Sequence, residues 1–401
     1  MHSVRYDYHR SKNIVLLLLL PVLLLWTAPA QAYKHLERPD IPGLVVEPDD
    51  AIQRLTAKSA ALIEAGTGKV IYERNMNERR YSASTTKIMT LIIALERGNL
   101  DDEVTISSNA EGMEGSTLWL ERGDKVTLRE LLRGMMMHSG NDAAVAVAEH
   151  IAGSVPEFAR LMTQRAHELG AVDTNFVNSC GLPDPDHYTT AHDMALIAAH
   201  GYSLPEFEDI VSTKEATFDW VHDDTHMLRN ENQLLWLYDG SNGVKTGYTD
   251  AAGRCLVSAA RRNGIQLVAV VLDSVFMWND SMELLDYGFK NVSAHTAVRQ
   301  GETISYAHVR SSKTSSLPLQ AAQTLMVPDI SGQESKPIER VVKLDGDLEA
   351  PIRQGDVVGQ LILRQDGRDI ASTDLLAARD VEQKSFFHEL GKLWQQIWRA
   401  I

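Results

Sequence analysis

Ala83-Ser84-Thr85-Thr86-Lys87-Ile88-Met89-Thr90-Leu91-Ile92-Ile93-Ala94-Leu95 is the stretch from which the rest of this 401-residue chain can be read. From Thr85 onward the apolar side chains Ile88, Met89, Leu91, Ile92 and Leu95 recur at helical spacing, and Gly98-Asn99 supplies a stop. Ser84 opens that helix and Lys87 follows one turn later, so a hydroxyl and an amine share one face. Upstream, Ser59 to Ile63 alternates loosely, Glu64-Ala65-Gly66-Thr67-Gly68 reads as a hairpin turn, and Lys69 to Glu73 continues extended. An antiparallel sheet therefore opens just before the helix.

Downstream, Leu118 to Leu128 reads as extended, with a turn at Arg122-Gly123-Asp124. Leu128 to Met137 and Asp142 to Ile151 are apolar helices, and Ser139-Gly140-Asn141 is the break between them. Phe158 to Leu169 and Thr190 to His200 are further helices, the latter capped by Thr190 ahead of Asp193. The sheet resumes near Gly243. Gly253 to Ala260 and Ile265 to Leu272 are strands joined at Arg261-Arg262-Asn263-Gly264, and a helix from Ser281 to Phe289 closes the unit. The expected architecture is α/β of the α+β kind, a helical block between strands drawn from both ends.

From about Asn291 the composition shifts to short β-prone segments: Val341 to Leu344, Asp356 to Val358 and Gln360 to Arg364. No catalytic constellation occurs there. The tail is different. Phe386, Phe387, Leu390, Leu393, Trp394, Ile397, Trp398 and Ile401 form one helical stripe, opposite Glu389, Lys392, Gln395, Gln396 and Arg399. Two tryptophans on such a stripe suit a water–lipid boundary, so an amphipathic helix lying on a membrane surface is expected.

The beginning reads as a secretory leader: Arg5, Arg10 and Lys12, then a nearly unbroken apolar run from Ile14 to Trp26, then Ala30-Gln31-Ala32. Cleavage after Ala32 is expected, since the run is short for a membrane span of about 20 residues. The expected organisation is a signal peptide at 1–32, a catalytic domain at 33–290, a small all-β domain at 291–380 and the amphipathic helix at 381–401. A formal charge of -15 with no basic block argues against nucleic acid as a partner. Cys180 and Cys255 are the only cysteines; free, packed thiols are the simpler reading, and secretion permits a bridge without requiring one.

Three strings carry chemistry: Ser84-Thr85-Thr86-Lys87, Ser139-Gly140-Asn141 and Lys245-Thr246-Gly247. Together, and in this order, they describe an active-serine acyl-transfer site. Ser84 is the candidate nucleophile and Lys87 its general base, provided burial and a neighbouring ammonium, Lys245, lower the Lys87 pKa. The Ser84 and Tyr248 backbone N–H groups are the candidate oxyanion hole. Ser139 can relay a proton to the leaving amine, and Asn141 can hold Lys87 and the substrate amide. Lys245 and Thr246 are placed for a terminal carboxylate, and Gly247 leaves the strand edge uncrowded for a peptide.

At these residues the chain resembles the low-molecular-weight penicillin-binding D-alanyl-D-alanine carboxypeptidases of the serine type. Ala83-Ser84-Thr85-Thr86-Lys87-Ile88-Met89-Thr90, Met137-His138-Ser139-Gly140-Asn141-Asp142-Ala143-Ala144 and Gly243-Val244-Lys245-Thr246-Gly247-Tyr248-Thr249 are similar to the family's three motifs. Asn178-Ser179-Cys180-Gly181-Leu182 resembles a further segment, N-x-x-G-L. The resemblance implies a serine β-lactamase/transpeptidase-like fold followed by a β-rich domain and a C-terminal anchor. It implies removal of the last D-alanine from peptidoglycan pentapeptide stems through a Ser84 acyl-enzyme, with β-lactams acylating Ser84 as substrate mimics. The enzyme would work outside the cell, on the outer face of the cytoplasmic membrane.

Other readings are a β-lactamase of the same fold, a transpeptidase and a non-catalytic wall-binding scaffold. A class A lactamase would carry an E-x-x-L-N string between Ser139 and Lys245, and His167-Glu168-Leu169-Gly170 does not reproduce it. A scaffold would have lost a motif serine or lysine. No cofactor and no metal is expected: the pairs His187/His192 and His222/His226 come without a third ligand at suitable spacing and read as solvated or capping residues, and Asp142 and Asp250 read as structural. Nothing in the sequence sets an oligomeric state.

Overall fold

The computed structural model describes residues 51–220, 227–314, 316–334 and 336–384. The leader and the amphipathic stripe from Ser385 to Ile401 lie outside the described residues, as do His222 and His226. No helix among the described residues is long and apolar enough to cross a membrane.

The chain opens with β1 (Ser59–Glu64) and β2 (Val70–Arg74), and reaches helix α1 (Lys87–Arg97) through one tight 3-10 turn, Ala83–Thr86. A short pair, β3 (Glu103–Thr105) and β4 (Lys125–Thr127), leads to α2 (Leu128–His138), α3 (Asn141–Ala152), α4 (Val155–Glu168) and α5 (Ala191–Gly201). There follow α6 (Phe207–Ser212), β5 (Glu215–Thr217), β6 (Met227–Arg229) and the single turn α7 (Leu234–Leu237). The long strands β7 (Ser241–Thr249), β8 (Gly253–Arg262) and β9 (Ile265–Ser274) precede α8 (Met277–Asn291).

The main sheet is antiparallel, in the order β2-β1-β9-β8-β7. Strands from both ends of the unit meet where β1 pairs with β9, Ser59 opposite Leu272 and Glu64 opposite Leu267. The run Leu267–Leu272 reads as continuously apolar because both of its faces are covered. Val268, Val270 and Leu272 face the core built with α1 to α5, whereas Leu267, Ala269 and Val271 face the core that α8 closes with Leu284 and Leu285. Alternate residues on one strand thus serve two cores.

Helix starts follow local chemistry. Thr127 and Glu130 form a reciprocal capping box on α2, Ser154 caps α4 with Pro156 just inside, and Thr190 accepts from the Asp193 N–H at the start of α5. Each such cap contributes about 1 kcal/mol. Relative to the sequence reading, α4 starts three residues earlier and α8 four residues earlier, both in their first, less periodic turn.

Beyond α8 the chain forms β10 (Val292–Val298), β11 (Thr303–His308), β12 (Ser316–Ala321), β13 (Leu325–Ile330), β14 (Glu339–Leu344), β15 (Val357–Gln365) and β16 (Arg368–Ala377). β10 pairs with β13, and a five-stranded sheet runs β11-β12-β16-β15-β14. The two strands read around 356–364 are one, with a bulge where Gly359 sits opposite Leu375. Leu317, Leu319, Leu361, Leu363 and Leu375 form a third core there. This segment meets the preceding part of the chain at β2, where the Gln333 side chain donates to the Val70 carbonyl at 2.7 Å.

Candidate active site

Ser84 lies in the middle of the 3-10 turn, and the α-helix proper begins at Lys87, three residues later than the apolar pattern places the nucleophile at its start. The turn is tightly held. Ala83, just before Ser84, has φ +46°, a left-handed conformation unusual for a residue with a Cβ. Gly181, at φ +91°, is packed so closely against it that a Cβ there would lie 1.8 Å from the Ala83 carbonyl oxygen. Only glycine fits that contact. The loop bearing Gly181 is shaped by Asn178, whose Oδ1 accepts from the Cys180 and Gly181 N–H groups at 3.2 and 2.7 Å. Thr90 ties the loop to α1 by donating to the Ser179 carbonyl at 2.6 Å.

His187 supports the same turn from below. Its Nδ1 accepts from the Val177 N–H at 3.3 Å, so by network its Nε2 carries the proton and meets Thr86 Oγ1 at 2.9 Å. Thr86 Oγ1 in turn is 2.8 Å from Ser82 Oγ. The sequence reading of His187 as solvated or capping is therefore corrected: it is buried against Thr86 in the Ser84 turn, and burial drives its pKa down to about 4, against a smaller upward pull from Asp184. His192 sits apart from the site, its Nδ1 3.7 Å from Asp193.

Lys87 is fully buried. Its Nζ lies 3.1 Å from Ser84 Oγ, 2.7 Å from Asn141 Oδ1 and 2.8 Å from the Cys180 carbonyl. An uncharged amine can satisfy all three, giving two N–H groups to the carbonyl oxygens and offering its lone pair to the serine hydroxyl. Burial lowers the Lys87 pKa to about 7; Lys245 lowers it further, while Cys180, Glu231 and Asp142 oppose. Asn141 is the first residue of α3 rather than part of the preceding break, and its Nδ2 donates to the Glu114 carbonyl at 2.6 Å.

Ser139 ends α2 with φ +67°, nearly buried, in the sharp turn that the Ser-Gly-Asn string demands. Asp142 anchors that turn to the neighbouring loop: its carboxylate accepts from Thr117 Oγ1 at 2.6 Å and from the Leu118 and Leu120 N–H groups at 2.9 and 3.1 Å. Trp119, between the two clamped amides, is forced to φ +57°, 63% exposed, with its ring 5.6 Å from that of His138.

β7 is an edge strand, and its Gly247 lies against the Ser84 turn: a Cβ there would be 3.0 Å from the Ser84 nitrogen. Tyr248 follows with its side chain 61% exposed and its hydroxyl donating to Asp250 at 2.9 Å. Lys245 is buried; its Nζ donates to the Thr246 carbonyl at 3.1 Å, and burial lowers its pKa to about 8, opposed by Glu231. Glu231, which no motif singles out, stands beside this strand: its Oε2 is 4.0 Å from Lys245 Nζ and 3.3 Å from Thr246 Oγ1. Both cysteines are buried free thiols, and among the described residues no cluster of three or more His, Cys, Asp or Glu is arranged for a metal ion.

Comparison with known proteins converges on one family. The profile of the D-alanyl-D-alanine carboxypeptidases, peptidase family S11, matches residues 45–275. The chain belongs to this D-alanyl-D-alanine carboxypeptidase family. A second profile, the C-terminal domain of penicillin-binding protein 5, matches residues 293–383. The chain is 35% identical to the D-alanyl-D-alanine carboxypeptidase DacF of Bacillus subtilis, over 82% of this chain and 87% of that protein. It is also 35% identical to the carboxypeptidase DacA of Haemophilus influenzae, over 86% and 89% respectively. Among solved structures it is similar to penicillin-binding protein 5 of Haemophilus influenzae, with 34% identity, 84% of this chain and 100% of that one covered, and a TM-score of 0.59. As a member of the family, the chain is a D-Ala-D-Ala carboxypeptidase, a hydrolase of peptidoglycan stems.

Proposed function

We propose that this carboxypeptidase works through a Ser84 acyl-enzyme with Lys87 as general base. The observation that carries the reading is the buried Lys87 amine, 3.1 Å from Ser84 Oγ, with its pKa lowered by burial to about 7. The uncharged amine takes the hydroxyl proton as Ser84 Oγ bonds to the carbonyl carbon of the D-Ala-D-Ala bond. Backbone N–H groups of Ser84 and Tyr248 receive the oxyanion, and Lys245 and Thr246 receive the terminal carboxylate. As the C–N bond breaks, Ser139 passes a proton to the leaving amine and D-alanine departs. Water then hydrolyses the ester and releases the shortened stem. Asn141 holds Lys87 in line throughout.

The wider assignment is a signal peptide at 1–32, a catalytic domain at 33–290, a distinct β-rich domain at 291–380 and an amphipathic helix at 381–401 lying on the outer face of the cytoplasmic membrane. β-Lactams act as covalent inhibitors. Mass spectrometry of the intact protein after benzylpenicillin, followed over time, tests the chemistry. A persistent single adduct mapping to Ser84, with D-alanine released from a pentapeptide in its absence, is expected; rapid loss of the adduct would favour a lactamase. Removing Ser385 to Ile401 should release active enzyme from membranes, and continued binding would sink the tail assignment.

A further inference from the structure

Lys245 and Thr246 present two groups suited to a carboxylate, and in this structure a carboxylate is already beside them. Glu231 Oε2 accepts from Thr246 Oγ1 at 3.3 Å and lies 4.0 Å from Lys245 Nζ. The backbone that delivers it is fixed. The Glu231 N–H donates to the Met137 carbonyl at 2.9 Å, at the end of α2 and two residues from Ser139. On either side, buried Asn230 accepts from the Asn232 N–H at 2.9 Å, and buried Asn232 accepts from the Leu234 N–H at 3.1 Å. The Glu231 side chain, by contrast, is 41% exposed and so has solvent into which to move.

We propose that Glu231 is a stand-in for the substrate's terminal carboxylate, occupying Thr246 and Lys245 in the free enzyme and yielding them when a stem peptide binds. The proposal rests on the reading that Lys245 and Thr246 receive that carboxylate. Two consequences follow from Coulomb's law. In the free enzyme, Glu231 offsets the burial of Lys245 and helps to keep its ammonium charged. In the complex, two carboxylates compete for one buried cation, so part of the attraction for an acid-terminated substrate is cancelled. Glu231 is thus a specificity-determining residue that tempers affinity for C-terminal carboxylates. It takes no part in bond making.

Glu231→Gln keeps the shape and removes the charge. The measurement, made about two pH units below the Lys245 pKa of about 8 so that its ammonium stays charged in both enzymes, is kcat/KM for diacetyl-Lys-D-Ala-D-Ala and for the same peptide ending in a carboxamide. Using their ratio removes any general change in Lys87 reactivity, because that acts on both peptides alike. The acid-to-amide ratio is expected to rise about fivefold in the variant, mostly through KM. An unchanged or lower ratio overturns the proposal. If Glu231→Gln does not fold, Glu231→Asp withdraws the carboxylate by one methylene and must move the ratio in the same direction, or the proposal fails. A wild-type enzyme that does not prefer the acid peptide to the amide would instead refute the reading that Lys245 and Thr246 receive the carboxylate.

Discussion

The Lys87 amine and the Ser84 hydroxyl are 3.1 Å apart, in a pocket where the amine's other two directions are taken by Asn141 and the Cys180 carbonyl. That arrangement leaves the lone pair of a neutral lysine one productive target. Ser84→Ala should abolish covalent labelling by a fluorescent penicillin. Lys87→Ala should slow acylation by roughly two to four orders of magnitude with an unchanged circular dichroism spectrum. Normal labelling kinetics in the lysine variant would remove it from the role of base.

The two buried lysines should shape the pH dependence of kcat/KM. As the proposed base, Lys87 must lose its proton to act, so the rate is expected to rise with pH through about 7. As the proposed carboxylate receptor, Lys245 must keep its proton, so the rate is expected to fall above about 8. Because the two ammonium groups repel each other, the limbs belong to the pair rather than to either residue alone. A bell-shaped profile is expected, and in Lys245→Gln the descending limb should disappear; a flat profile in the native enzyme would contradict both shifts.

His187 should make the fold acid-sensitive. Its folded pKa of about 4 lies below the ordinary 6.5, so between these values the unfolded chain binds more protons. The contribution is intact above about 6.5 and is lost progressively as the pH falls toward 4, by about 3 kcal/mol in all. His187→Gln should flatten the dependence of Tm on pH across this window, whatever its effect at neutrality. An unaltered slope would place the acid sensitivity elsewhere.

Two glycines should be intolerant for different reasons. Gly181→Ala meets both a left-handed backbone and a Cβ 1.8 Å from the Ala83 carbonyl, so stability should fall by several kcal/mol, at the upper end for point substitutions. Gly247→Val crowds the Ser84 amide from 3.0 Å and should depress acylation far more than it lowers Tm. Thermal melts and penicillin labelling on the same samples separate the two outcomes.

Much of this was legible before any coordinates, because it rests on short-range patterns. The period of Ile88, Met89, Leu91, Ile92 and Leu95, the cap at Thr190 and the break at Ser139-Gly140 report local geometry, and local geometry is what a sequence window contains. The short elements α6, β5 and β6 escaped for the opposite reason: three to six residues show no period, and their pairing depends on what lies across them. β10 to β13 and β16 were hidden in a similar way, since strands such as Val292–Val298 are exposed over much of their length and carry a mixed pattern.

The sequence on its own determined which groups could do chemistry here: a serine one turn ahead of a lysine, a Ser-x-Asn turn and a Lys-Thr-Gly strand. Tertiary structure decided how those groups are tuned. Burial that strips Lys87 of water, a loop whose Gly181 backs the strained Ala83, a histidine hidden under Thr86 and a glutamate leaning on Thr246 all join residues far apart in the chain. Desolvation and Coulomb forces depend on distance in space and on the surrounding medium, and neither can be read from position along the chain.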